Sequence, residues 1–238
     1  ALLADKNIDA VFIATNNMTH ADLALKSLAA GKHVIIEKPM AAVSADAQKV
    51  SDLAKSKNLS VAIDHMMTES CYNRKARELV RSGAIGTIND CCFHMEFSYG
   101  STPEEAATWR CSKPEELGGP IGDVASHCFY MAEFLFDSKI TEIACVYYPK
   151  TMNIVVEDGA YIKFKMANGI TGSVNVGFNE PRGGLVGTLT NLGYELYGSE
   201  AVLRGFGTMF QLSGHPGEPI PVRLEIDRAK EQETVKAD

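Results

Sequence analysis

Short apolar runs alternate with helical spacing over residues 9–63, and this constrains the chain more than any other feature. Asp9-Ala10-Val11-Phe12-Ile13-Ala14-Thr15 is nearly continuous in apolar character, the pattern of a parallel strand buried on both faces. Downstream, Ala21, Leu25, Leu28 and Ala29 are spaced for one helical face, and Gly31 stands where a C-cap glycine ends a helix. Val34–Ile36 reads as the next strand. A second helix is expected from near Ser44, with Asp46 favouring its N-terminus and Val50, Leu53 and Ala54 facing inward. Leu59–Ile63 then completes a strand–helix–strand–helix–strand pattern, which implies a parallel sheet with right-handed crossovers.

The character changes after Asp64. A third helix is expected over Ser70–Arg81, ending at Gly83. Thr87–Tyr99, Ile140–Tyr147, Tyr161–Met166, Gly172–Phe178 and Glu195–Leu203 read as strands. Tyr161, Lys163 and Lys165 alternate with Ile162, Phe164 and Met166, and Ala167-Asn168-Gly169 is a hairpin signal. One helix, Asp123–Phe136, falls among the strands. The expected fold class is α/β plus α+β: the C-terminal part of a doubly wound domain over residues 1–64, then a mostly antiparallel open-sheet domain over 65–238. The start at Ala1, inside what reads as a helix end, and the polar close at Lys236-Ala237-Asp238 suggest a piece cut at both ends of a longer protein.

Two segments carry chemistry. His33-Val34-Ile35-Ile36-Glu37-Lys38-Pro39 ends a strand with a carboxylate, an amine and a proline that stops the ladder. Ligands of open α/β sheets bind beyond the carboxyl ends of strands, so a lysine there can hydrogen-bond a substrate oxygen and favour negative charge on it. An isolated Glu-Lys-Pro is equally a solvated strand end. In Gly118-Gly119-Pro120-Ile121-Gly122-Asp123-Val124-Ala125-Ser126-His127, a glycine-rich approach leads into a helix with Asp123 and His127 four apart. A carboxylate beside an imidazole orients it and raises its basicity, which suits removal of a proton from an alcohol. The same spacing also fits a helix-start aspartate and a core histidine bonded to a carbonyl. Both segments together favour a site. His65, after a strand end, could contact a ligand; mid-strand His94 reads as structural, and Met66, Met67 and Met95 as core or pocket-wall filler.

Composition narrows the classes. A formal net charge of −7 without a basic stripe argues against nucleic acid, and no apolar run approaches the ~20 residues that span a bilayer. Cys71, Cys91, Cys92, Cys111, Cys128 and Cys145 lack zinc-type spacing and read as thiols of a reducing, cytoplasmic compartment. A metal site is not expected: Cys111, His127 and Cys128 have no Cys-x-x-Cys pair to support one.

Thr15-Asn16-Asn17-Met18-Thr19-His20, Ala30-Gly31-Lys32 through Lys38-Pro39, and Gly118-Gly119 through Asp123 and His127 resemble the Gfo/Idh/MocA oxidoreductase family. Val156-Glu157-Asp158-Gly159-Ala160 and Tyr194 through Glu200 resemble strands of that family's C-terminal sheet. The resemblance implies a Rossmann domain binding NAD or NADP and a sheet domain that closes a pocket for a sugar, cyclitol or related polyol. It also implies a homo-oligomer, dimer or tetramer, through that sheet. On the matching positions Lys38 would contact nicotinamide ribose and substrate, Asp123 would bind or orient, and His127 would be the general acid/base. Thr15, Asn17 and His20 would line the cofactor cleft, with Glu37 beside the nicotinamide end. Trp109-Arg110 resembles a loop pair that reaches cofactor or substrate, though it could equally be an ordinary stacking pair. Lys38 and His127 would have to converge across a shared cleft. The Lys38–Pro39 bond would be cis.

Departures from the family pattern are Asn16 for proline, Ala125 for glycine and Tyr130 for an acidic residue; the last puts the substrate class in question. The Gly-x-Gly-x-x-Gly fingerprint is absent and would lie upstream of Ala1, so this piece is expected to bind NAD(P) poorly. The expected activity is hydride transfer between nicotinamide and a carbinol. Alternatives on the same fold are an NAD-dependent glycoside hydrolase and a non-catalytic sugar- or nucleotide-sensing regulator.

Overall fold

The structure, a computed structural model, describes residues 2–179, 192–209 and 222–237. It divides into two compact units: residues 1–65 with 115–117, and residues 66–114 with 118–238.

In the first unit, β1 (Ala10–Ile13), β2 (His33–Glu37) and β3 (Val61–Asp64) form a parallel sheet in that order, with Ile13, Ile36 and Ile63 in one row. The helices α1 (His20–Ala29) and α2 (Ser44–Ser56) connect them. Gly31 takes the left-handed conformation (φ +79°) that ends α1, as its position implied. Ile13, Val34 and Ile36 are buried against Ala24 and Leu28 of α1 and Val50 and Ala54 of α2. The expectation of a first strand buried on both faces is corrected. Phe12 is 57% exposed and its row neighbour Ile35 is 44% exposed, because both helices pack on the other face of the sheet.

The second unit carries α3 (Cys71–Arg81), β4 (Ile88–Glu96), the short helices α4 (Pro103–Ala106) and α5 (Trp109–Ser112), and α6 (Ser126–Phe136). There follow β5 (Ile140–Tyr147), β6 (Gly159–Met166), β7 (Thr171–Gly177), β8 (Leu192–Gly198), β9 (Val202–Phe206), β10 (Arg223–Arg228) and β11 (Glu231–Val235). These strands make an eight-stranded sheet, ordered β11-β10-β9-β8-β4-β7-β6-β5. β4 and β7 run parallel, and the other pairings are antiparallel. One face holds the core, where Phe93, Met95, Ile162, Phe164 and Val174 meet Ala76 of α3 and Met131 and Leu135 of α6. The alternation read in β6 is present: Ile162, Phe164 and Met166 are buried while Tyr161, Lys163 and Lys165 are exposed. Gly169 adopts φ +92° in the β6–β7 hairpin.

Two strand readings change. Glu195–Leu203 is two strands, because the chain reverses after Gly198, whose N–H donates to Ala201 O at 3.0 Å. The C-terminal polar segment, in which no strand was expected, holds the β10–β11 pair; Glu231, Gln232, Glu233 and Thr234 are exposed, so no apolar alternation marks β11. Among the described residues, no helix is long and apolar enough to cross a membrane.

Candidate active site

In the first unit, the strand ends place the loops of β1, β2 and β3 side by side, with Glu37 and Asp64 in register. Lys38 and His65 follow them directly. The Lys38–Pro39 peptide is cis, as the resemblance implied. Fully buried His20, the first residue of α1, braces two of these loops: Nδ1 lies 2.7 Å from Pro39 O and Nε2 3.1 Å from Thr15 O. The hydroxyls of Thr15 and Thr19 are 2.6 Å apart. Buried Asn17 donates from Nδ2 to Glu116 O at 2.6 Å, and Met18 N donates to Glu116 Oε2 at 3.0 Å. Glu37 Oε2 accepts from Lys38 N at 3.1 Å.

His65 is the strongly perturbed group of this edge. Burial, with the Lys38 charge adding to it and Asp64 opposing, lowers its pKa to about 4, so it is neutral beside the lysine at pH 7. Lys38 therefore faces a hydrogen-bonding imidazole rather than a second cation.

In the second unit, the segment leading to His127 differs from its expected form. The helix begins three residues before Asp123, and its first six residues, Pro120–Ala125, are π-helical. Three features start it there. Gly119 reverses the backbone (φ +92°), Pro120 fixes φ, and the Glu157 carboxylate accepts the Ile121 N–H at 2.8 Å. A Cβ on Gly118 would lie 2.6 Å from Trp109 O, so this position admits only glycine without a shift of the main chain. π-helical turns inside helices are frequent at functional sites.

Asp123 is buried, and its Oδ2 accepts a hydrogen bond from Arg110 Nε at 2.9 Å. The Arg110 guanidinium stacks on the Trp109 ring, 4.6 Å from its centroid. Both residues lie on α5, a one-turn helix rather than an open loop. Of the two readings of Trp109-Arg110 the stacking pair is present, and Arg110 is in addition tied to Asp123. His127, the second residue of α6, is half-buried with Nδ1 inside the protein, while Tyr130 one turn on is exposed.

The segment 148–158 supports this assembly. Val155 N donates to Cys111 O at 2.9 Å, which ties the segment to α5. Asp158 is fully buried and takes Lys150 Nζ (2.7 Å), Thr151 N (2.5 Å), Thr151 Oγ1 (3.0 Å) and Met152 N (2.8 Å). Burial disfavours its anion, but these hydrogen bonds outweigh burial and hold the carboxyl below the usual range. The structure thus joins Thr15, His20 and the Lys38-Pro39 turn in one unit, and Trp109, Arg110 and Asp123 in the other. The sequence reading gave Glu116 no role and cited Glu157 and Asp158 only within the stretch that resembles the family's C-terminal sheet. The Glu157-Asp158-Gly159 acidic pair before a strand was a visible signal; nothing local marked Glu116.

The first unit is thus an α/β unit with Lys38 at the carboxyl edge of its parallel sheet, and the second carries Asp123 and His127 at a helix start beside a mostly antiparallel sheet. Residues 1–65 match the family model described as oxidoreductase family, NAD-binding Rossmann fold, and residues 73–204 match the GFO/IDH/MocA C-terminal domain. The chain belongs to the GFO/IDH/MocA oxidoreductase family. It is 27% identical over 212 residues to 1,5-anhydro-D-fructose reductase of Ensifer adhaerens, covering 88% of this chain and 60% of that protein. To levoglucosan dehydrogenase of Pseudarthrobacter phenanthrenivorans it is 26% identical over 270 residues, covering 93% and 67%. The crystal structure of an inositol dehydrogenase homolog complexed with NAD+ from Azotobacter vinelandii has the same fold, with a TM-score of 0.80 at 22% identity, covering 98% of this chain and 58% of that one. The chain therefore spans only about 60% of the length of the proteins it matches.

Proposed function

We propose that the whole protein is an NAD(P)-dependent oxidoreductase that moves a hydride between nicotinamide and a carbinol of a sugar, cyclitol or related polyol. The observation that carries this reading is the helix start at Pro120–His127, where Asp123 is buried, hydrogen-bonded to Arg110 and followed one turn later by His127. Family membership and the relatives' reactions, a reductase and a dehydrogenase of sugars, support it.

The residues present fit the nicotinamide end of such a cofactor. The carboxyl edge of the parallel sheet offers the Thr15 hydroxyl, the Lys38 ammonium and a neutral His65. Asn17, His20 and Glu37 shape the loops there, and Trp109 and Arg110 complete our proposed contact set. A Gly-x-Gly-x-x-Gly phosphate anchor is not among the 238 residues. When bound, the nicotinamide takes or gives the hydride. Lys38 hydrogen-bonds the reacting oxygen and stabilises negative charge on it. His127 takes the hydroxyl proton in oxidation and returns it in reduction. Asp123, held by Arg110, orients these groups.

A second copy of the chain is proposed to cover the C-terminal sheet, where Val146 and Tyr161 are paired neighbours and both exposed. Six free thiols fit a reducing, cytoplasmic setting. The test is a screen of sugars and polyols with both nicotinamides. The reading requires net formation of reduced nicotinamide with at least one substrate. Release of free sugar from a glycoside without net reduction would favour the hydrolase reading, and ligand binding without turnover the regulator.

A further inference from the structure

The chain passes from the carboxyl end of β1 into α1 through the 3₁₀ turn Asn17–Thr19, and its own residues do not cap that turn. Asn16 makes no side-chain cap bond, and the Thr19 hydroxyl donates to Asn16 O at 2.7 Å instead of accepting from α1. The first N–H groups of a helical turn have no acceptor within it. The Met18 side chain is 53% exposed, so packing does not hold the turn at that point. The acceptor arrives from 98 residues further on: Glu116 Oε2 takes the Met18 N–H at 3.0 Å. Glu116 O takes Asn17 Nδ2 at 2.6 Å. A carboxylate beside the first turn of a helix also meets the positive end of its dipole.

Glu116 is presented by a constrained backbone. Residues 115–117 belong with the first unit, although the chain on both sides of them belongs to the second. Pro114 opens the turn Pro114–Glu116 with its φ locked. Leu117 holds the left-handed conformation at φ +56°, which a side chain disfavours and which persists only where the surroundings impose it. Gly118 N then donates to Lys113 O at 3.2 Å and closes the strap. Glu116 is itself buried. The 15–19 loop is thus tied at its ends by His20, whose Nε2 lies 3.1 Å from Thr15 O, and at its middle by Glu116.

We propose that Glu116 is a positioning residue for the nicotinamide dinucleotide: it holds the 15–19 loop in its binding form before the ligand arrives. This rests on the oxidoreductase reading above. A loop ordered in advance adds no ordering cost to binding. Without the clasp the ligand must impose that order, and affinity falls. Glu116 acts through Asn17 and the Met18 amide, so the loss falls on nicotinamide affinity rather than on the chemical step.

The whole protein is titrated with NAD+ and with NADP+ by calorimetry, and amide hydrogen exchange is resolved at Met18. The parent is expected to protect the Met18 amide already without nicotinamide. Glu116→Ala should speed its exchange about tenfold and weaken nicotinamide binding about tenfold, with KM for nicotinamide rising more than kcat falls. Glu116→Gln keeps an acceptor oxygen and should recover binding to within about threefold of the parent. Unchanged protection at Val50 and Ala54 of α2 reports that the unit stays folded. Nicotinamide affinity in Glu116→Ala within about twofold of the parent would overturn the proposal and leave the oxidoreductase reading standing. Met18 protection that appears only once nicotinamide is bound to the parent would overturn it whether or not the variants fold. A parent that binds neither nucleotide would remove the oxidoreductase reading and this proposal with it.

Discussion

Asp158→Asn tests how the 148–158 segment, which is tied to α5 through Cys111, is held. The carboxylate presents Oδ2 to Thr151 N, Thr151 Oγ1 and Met152 N, and Oδ1 to the Lys150 ammonium. Asparagine keeps the shape but replaces one acceptor with a donor. Turned toward Thr151 and Met152, its NH₂ meets two backbone N–H groups; turned toward Lys150, it meets one ammonium. The second orientation is less costly, because half-exposed Lys150 can turn to water. The three retained bonds then change from charge-assisted to neutral, a loss of ~1 kcal/mol each, and the lost ion pair adds under ~1 kcal/mol. The sum is ~3 kcal/mol, or a drop in Tm of ~6–12 °C for a protein of this size. Calorimetry across pH supplies the check. The folded pKa is lowered, so the stabilisation is complete above the unfolded value of ~4 and is lost as pH falls through the folded value. The gap between parent and variant should therefore be widest near pH 7 and close toward pH 2. A gap under ~1 kcal/mol at pH 7, or one of equal size at pH 2, would refute the reasoning.

Other perturbations have defined outcomes. Arg110→Ala removes the guanidinium donor from buried Asp123 and should lower turnover of the whole protein about tenfold, with Arg110→Lys recovering only part of it. Gly119→Ala places a Cβ in a left-handed backbone position, 2.5 Å from Glu157 Oε1; a loss of ~1–2 kcal/mol in stability is expected by chemical denaturation. The two shifted histidines should give opposite pH trends. His65 has a lowered pKa, so stability falls between pH 6.5 and about 4, and His65→Gln should remove that fall in Tm. Burial lowers the His94 pKa but hydrogen bonds to Cys92 and Glu96 outweigh it and raise the pKa, so its contribution is complete below pH 6.5 and lost as pH rises through about 10; His94→Gln should flatten that alkaline loss.

Local patterns were legible where neighbours in sequence do the work. The apolar runs of β1 and β2, the glycine ending α1, the Asn168-Gly169 turn and the alternation of β6 all reflect short-range geometry. Burial on both faces of β1 failed because it depends on what else packs there, which the strand's own residues do not state. The β8–β9 reversal was missed since Ser199 and Glu200 read as polar strand positions as readily as turn residues. In the candidate site, Lys38, Asp123 and His127 stood out by type and spacing, but their supports did not. Arg110 lies 13 residues from Asp123, Glu157 lies 36 from Ile121, and Glu116 lies 99 from Asn17. Such pairings are made by the fold and leave no local pattern. His94 read as a structural strand residue because its Cys92 and Glu96 partners, at alternate positions, look like an ordinary polar face.

The most direct test of the proposed activity is isotope transfer in the whole protein. A sugar or polyol deuterated at the reacting carbinol carbon is incubated with oxidised nicotinamide, and deuterium at nicotinamide C4 is measured by mass spectrometry. The account predicts deuterated reduced nicotinamide in the parent protein, and about a hundredfold or greater loss of rate in both His127→Ala and Lys38→Ala. No deuterium in the nicotinamide with any substrate, or near-parental rates in both variants, would contradict it.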